Sequence, residues 1–117
     1  MAPRKPVIAI AGGGDMSKYL VEEIAADGTF EAVVLTSTAS KAAWFQSNPA
    51  VVAVRGTDYS TQSLVAVLDE FNAFVMYALW ISWDSDVYVK THNQIIDACI
   101  KSKNCKKYHG SELLGDV

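Results

Sequence analysis

The chain has 117 residues, half of them hydrophobic and a fifth charged, with a formal net charge of -3. That length is one domain, and the composition is that of a packed globule rather than a disordered segment. The acidic balance leaves no electrostatic footprint for nucleic acid, and no apolar run is long enough to span a bilayer. Residues 1–6 read as a flexible arm, and the short apolar stretch after them is too brief for a secretory signal, so the cytoplasm is the expected compartment. Cys99 and Cys105 are the only cysteines and have no ligand partners at metal-binding spacing, so both are expected as reduced structural thiols, with no metal site.

In chain order, residues 7–11 are apolar at consecutive positions, the pattern of a strand buried on both faces. Three glycines follow, and then a helical period with Met16, Tyr19, Leu20 and Ile24 on one face until Gly28 stops it. A second strand is expected over 30–36 and a short helix over 40–46, ended by Asn48 and Pro49. A third strand over 50–54 leads through Thr57 and Asp58 into a helix over 61–70, capped by Ser60 or Thr61 and apolar at Leu64, Val65, Val67 and Leu68. Residues 72–79 form the fourth strand, and a loop containing Trp80 and Trp83 leads to a long helix over 84–101. The buried side of that helix is expected at Val87, Ile95, Ile96, Cys99 and Ile100, with His92 on the surface. Residues 105–109 make a fifth strand, and 110–117 a polar tail.

Strands alternating with helices give an α/β domain, because parallel neighbours need crossovers and helices supply them. Right-handed crossovers with a reversal after the third strand give a Rossmann-like three-layer sandwich with the order 3-2-1-4-5, ending after the fifth strand.

The stretch Gly12-Gly13-Gly14-Asp15-Met16-Ser17 stands between a buried strand and a helix, where dinucleotide folds hold a pyrophosphate. Gly12 and Gly14 match the first two glycines of that fingerprint, and Ser17 replaces the third. Backbone amides at a helix start favour a phosphate, whereas Asp15 adds an opposing negative charge. Asp58, after the third strand, either accepts a hydrogen bond from a ligand or organises the turn before the Ser60 cap. His109 ends a strand on the edge where parallel sheets bind ligands. Tyr88 precedes His92 at the spacing at which a short-chain dehydrogenase would carry tyrosine and lysine.

The segments "VIAIAGGGDMSKYLVEEI", "GTDYSTQSLVAVL" and "QIIDACIKSKNCKKYHGSELLGD" resemble the NmrA-like and isoflavone-reductase-like branch of the atypical short-chain dehydrogenases, particularly fungal members of secondary metabolism. The resemblance implies a small-molecule ligand, NAD or NADP, held by Gly12, Gly13, Gly14, Asp15, Met16, Thr36, Ser37, Asp58 and Leu79. Ser37 stands where NADPH-using members carry an arginine, and no acidic residue there selects NAD. The family's catalytic lysine and substrate-binding part would lie beyond Val117. The first expectation is therefore an NAD(P)-binding protein without that machinery. The second is an enzyme that binds no cofactor, a cyclase or isomerase acting on a small apolar metabolite, with Asp58, His109 and Glu112 as candidate acid–base groups. The third is an inactive truncated product. Helices counted against strands leave one face of the fourth strand bare, from which a homodimer is expected, with Phe74 and Met76 at the contact.

Overall fold

The computed structural model describes residues 5–12, 15–36, 42–79, 84–105 and 107–109. Its elements are β1 (Val7–Ala11), α1 (Asp15–Asp27), β2 (Glu31–Thr36), α2 (Ala42–Gln46), β3 (Val51–Gly56), α3 (Thr61–Glu70), β4 (Ala73–Ala78), α4 (Ser85–Lys101) and β5 (Lys107–His109). All four strand pairings are parallel, and the sheet runs β3-β2-β1-β4-β5, the order expected.

Each central strand is buried on both sides, so its residues divide between two cores. Ile8, Ile10, Ala32 and Val34 pack with Val21 and Ile24 of α1 and Phe45 of α2. Ala9, Ala11, Val33 and Leu35 pack with Leu64 and Leu68 of α3 and Ile95 and Ala98 of α4. Right-handed crossovers dictate this division, because the chain winds outward from β1 in one direction and then in the other.

Several sequence expectations shift. Strand β3 extends to Gly56, so Arg55 and Gly56 belong to it, and β5 begins at Lys107 with Cys105 buried just ahead of it. Helix α1 turns Ser17, Val21 and Ile24 inward and leaves Met16 and Tyr19 exposed, because Ser17 takes the position that faces the sheet. Helix α4 buries Thr91, His92, Ile95, Ala98 and Cys99, whereas Val87, Ile96 and Ile100 are exposed. Thr91 and His92 lie one turn from Ile95 on the same face, so helical geometry carries these two polar residues inward with it.

The largest shift is in β4. Its register against β1 slips between Val7–Ala73 and Ile8–Val75, leaving Phe74 as an extra residue. Phe74 and Val75 therefore both pack on the α1/α2 side, where Phe74 lies 5.8 Å from Phe30 between ring centroids. Met76, expected on that side, is fully buried beneath α3 and α4. Strict alternation would have put Phe74 and Met76 on one face, and the bulge breaks it.

Candidate functional site

The site begins where β1 ends. Gly12 is buried and has φ of +121°, a conformation that side chains other than glycine's strongly resist. Its N–H donates to the Leu35 carbonyl at 2.8 Å, and the Leu79 N–H donates to the Ala11 carbonyl at 2.9 Å. These bonds carry the sheet one step past its strands and fix the chain on both sides of β1. Helix α1 then starts at Asp15, so its first-turn N–H groups face the same edge without intrahelical acceptors. Within that turn the Ser17 hydroxyl is buried, 1% exposed at residue level, and no group of the described residues hydrogen-bonds it. A buried hydroxyl without a partner is uncommon and calls for an explanation.

Leu35 joins this turn to the next loop. Its carbonyl, which takes the Gly12 N–H, also accepts the Tyr59 phenol at 3.2 Å. Tyr59 is buried with φ of +60°, and its N–H donates to Thr57 Oγ1 at 3.0 Å. The left-handed backbone at Tyr59 folds its ring back under the sheet edge. Tyr59→Phe is expected to lower stability by about 1 kcal/mol through loss of one hydrogen bond, read as a lower urea midpoint.

Asp58, at the exposed tip of this loop, accepts the Ser60 N–H at 2.9 Å, and Ser60 in turn caps α3 by accepting from the Ser63 N–H at 3.3 Å. The Ser60 N–H, and after it the Ser60 hydroxyl, hold the Asp58 carboxyl below its usual range. Asp58 thus makes the contact that organises the turn before the Ser60 cap. A carboxyl with a depressed folded-state pKa stabilises fully above its unfolded value, and that contribution is lost as pH falls through the folded value. The gap in melting temperature between the natural chain and Asp58→Asn is therefore expected to close as pH is lowered from neutrality to below about 4. Melting curves of both proteins across that range check it.

No protein-family model matches the chain. Over 110 residues it is 33% identical to the oxidoreductase swnR of Metarhizium robertsii and 31% identical to swnR of Arthroderma benhamiae. Each match covers 94% of this chain and 33% of the relative, so the chain spans about a third of the length of the curated relatives it matches. Among solved structures, vestitone reductase from alfalfa superposes with a TM-score of 0.72 at 16% identity, covering 91% of this chain and 36% of that one. The dTDP-glucose 4,6-dehydratase of Bacillus anthracis, solved in complex with NAD, superposes at 0.66 and 16% identity, covering 87% and 36%. The fold is a Rossmann fold.

In a Rossmann sheet the ligand crevice lies at the carboxyl ends of the strands where the order reverses, here between β1 and β4. The fold brings Gly12, exposed Met16, buried Thr36 and half-buried Leu79 to that edge, with Asp15 opening α1 beside them. Gly13, Gly14, Ser37, Trp80, Trp83 and Glu112 lie outside the described residues. The fold does not bring Asp58 and His109 together. Asp58 follows β3 at one margin of the sheet, and His109 pairs with Tyr77 at the other. Four strand spacings separate those margins, roughly 19 Å, too far for both groups to act on one small molecule. Among the described residues, no group of three or more His, Cys, Asp or Glu side chains could hold a metal ion, and no helix is long and apolar enough to cross a membrane.

Two features escape sequence reasoning. One is the Ser17 hydroxyl, whose only signal is its place in the third-glycine position. The other is His92, which is 7% exposed, with Nδ1 3.1 Å from the Tyr108 hydroxyl and its ring 4.2 Å from that of Tyr88. The spacing of Tyr88 and His92 placed those two on one helix face, but nothing in the local sequence pointed to Tyr108 across the gap to β5.

Proposed function

We propose that the chain binds a nicotinamide dinucleotide, NAD or NADP, at the β1–α1 turn, as the dinucleotide-binding part of an oxidoreductase of the short-chain-dehydrogenase type in the NmrA-like branch. The observation that carries this reading is the turn itself: Gly12 in a conformation suited to glycine, a helix N-terminus behind it, and in the helix's first turn a buried hydroxyl that has no partner among the described residues. N–H groups at a helix start, left without intrahelical acceptors and with the helix dipole behind them, fit a pyrophosphate, and the Ser17 hydroxyl adds a donor. Gly12 gives the backbone its close approach, and Met16 and Leu79 offer apolar surface on either side of β1. When bound, the dinucleotide supplies a hydride acceptor or donor; the chain's own residues bind and orient it. The swnR relatives and the NAD complex among the structural neighbours support the reading.

Calorimetric titration with NADPH, NADH, NADP and NAD tests it. Saturable binding of at least one form is expected, and absence of heat with all four at about millimolar concentration overturns it.

Ser17→Ala separates the hydroxyl's two roles. Removing a buried hydroxyl that no described residue hydrogen-bonds and installing a better helix former should stabilise the ligand-free chain by about 1 kcal/mol, several degrees in Tm. The same substitution should weaken dinucleotide binding about five- to tenfold if the hydroxyl donates to the phosphate. Melting curves read the first effect and titration the second.

The reading includes self-association through β4. On its α1/α2 side Phe74 and Tyr77 are half-buried rather than covered, and these two, not Met76, would form the contact. Sedimentation equilibrium at micromolar concentration should give a homodimer that Phe74→Asp splits into folded monomers. A monomeric natural chain refutes the dimer.

A further inference from the structure

Cys99, in the last turns of α4, and Cys105, just before β5, are both reduced. They are 9% and 7% exposed. The chain between them is folded around one hydroxyl. Ser102 Oγ donates to Asp69 Oδ1 at 2.7 Å and accepts the N–H groups of Asn104 at 3.2 Å and Cys105 at 3.3 Å. This turns Cys105 back against the helix, where it and Cys99 are buried in one apolar cluster. Cys105 also donates its S–H to the Lys107 carbonyl at 3.3 Å. Both sulfur-bearing residues line one surface pocket of about 300 Å³, together with Ile96, Ile100, Lys107 and Tyr108. Two reduced cysteines on either side of one turn, both lining a pocket that opens to solvent, are arranged for more than packing.

We propose that Cys99 and Cys105 are a reversible modification site, at which a low-molecular-weight disulfide entering this pocket converts the dithiol into an intramolecular Cys99–Cys105 disulfide. Cys105 attacks first. The Cys105 side chain beside it, and after that burial, push the Cys99 thiol up, so Cys99 keeps its proton, while Lys107 lines the pocket that Cys105 borders. The Cys105 thiolate displaces one thiolate from the small disulfide, and that leaving group takes up the proton Cys105 lost. The mixed disulfide at Cys105 no longer carries a charge that opposes ionisation of Cys99. Cys99 then loses its proton, its sulfur displaces the second small thiolate, and that thiolate takes the proton. The protein loses two electrons and two protons, and one small disulfide becomes two small thiols. The product staples α4 to β5, and closing so short a loop should raise Tm by several degrees.

The test equilibrates the whole chain in a series of glutathione redox buffers, quenches with acid and reads intact mass. The expected product lacks two hydrogen atoms and carries no glutathione. Its equilibrium constant in the native chain should exceed that of the urea-unfolded chain by at least about tenfold, because the fold holds the sulfurs together. A native constant equal to or below the unfolded one overturns the proposal, as does glutathione on both cysteines without ring closure. Cys99→Ser should accumulate one glutathione at Cys105, and Cys105→Ser should take up none; the reverse pattern overturns the order of attack.

Discussion

Replacing Met76 by Asp will unfold the chain, whereas Phe74→Asp will leave it folded. Met76 is fully buried in the core that joins the sheet to α3 and α4, among Leu64, Leu68, Ile95 and Ala98. No described cation lies in that core to pair with a carboxylate, so the group must ionise in an apolar medium or bind a proton from neutral water, and the thioether's contacts are lost in either case. Together these are expected to remove about 5 kcal/mol or more, as much as the whole stability of a domain at the lower end of the usual range of about 5–15 kcal/mol. Phe74 is half-buried on the other face, and a carboxylate there can turn to water, so a loss of about 1–2 kcal/mol is expected. Urea titration followed by circular dichroism distinguishes the two. Cooperative unfolding of Met76→Asp at a midpoint near that of the natural chain would refute the buried assignment.

Much of this fold was legible because it rests on short-range rules. Five consecutive apolar residues at Val7–Ala11, too few for a helix and stopped by glycine, fit a strand covered on both faces, and the chain order of strands and helices, with right-handed crossovers, leaves β3-β2-β1-β4-β5 as the natural arrangement. The Ser60 cap was one of two adjacent hydroxyl residues, and only the structure chooses between them. Helix faces were harder to read. Apolar residues extend over more of α4 than its buried face, so Ile96 and Ile100 looked as fit for the core as Ile95. What decides is the neighbour: Tyr108 offers His92 a hydroxyl, and that partner lies on another element. Likewise, Ser17 turns Met16 and Tyr19 outward by occupying the sheet-facing line of α1. The bulge at Phe74 is a cross-strand register event, which a single strand's alternation cannot reveal. At the candidate site the glycine turn was legible as a local motif, but the Leu35 carbonyl that ties Gly12 to Tyr59 was not, since a backbone acceptor leaves no mark in sequence. The separation of Asp58 from His109 follows from strand order and was within reach of the sequence once that order was drawn.

Gly12→Val should weaken dinucleotide binding at least about a hundredfold, about 3 kcal/mol of binding free energy. At φ of +121° a β-branched residue clashes with its own backbone, so the turn must open to a negative φ or hold strain of about 1–3 kcal/mol. Opening it breaks the 2.8 Å bond to Leu35, moves the start of α1 and spoils the alignment of first-turn N–H groups on which phosphate binding depends. Holding it pushes two methyl groups into a buried position. Either route also lowers stability, so weakened binding alone would not separate a local effect from a general one. Gly28→Ala provides the comparison. Gly28 also has positive φ, +76°, and ends the same helix, donating its N–H to the Ile24 carbonyl at 3.1 Å. A Cβ there meets nothing within 4 Å, so the cost is backbone strain of about 1 kcal/mol at the far end of α1 from the crevice. Titration of both variants at a temperature where circular dichroism reports them folded should find Gly28→Ala binding like the natural chain and Gly12→Val scarcely binding at all. Equal affinities for the two would mean that the dinucleotide does not contact the β1–α1 turn.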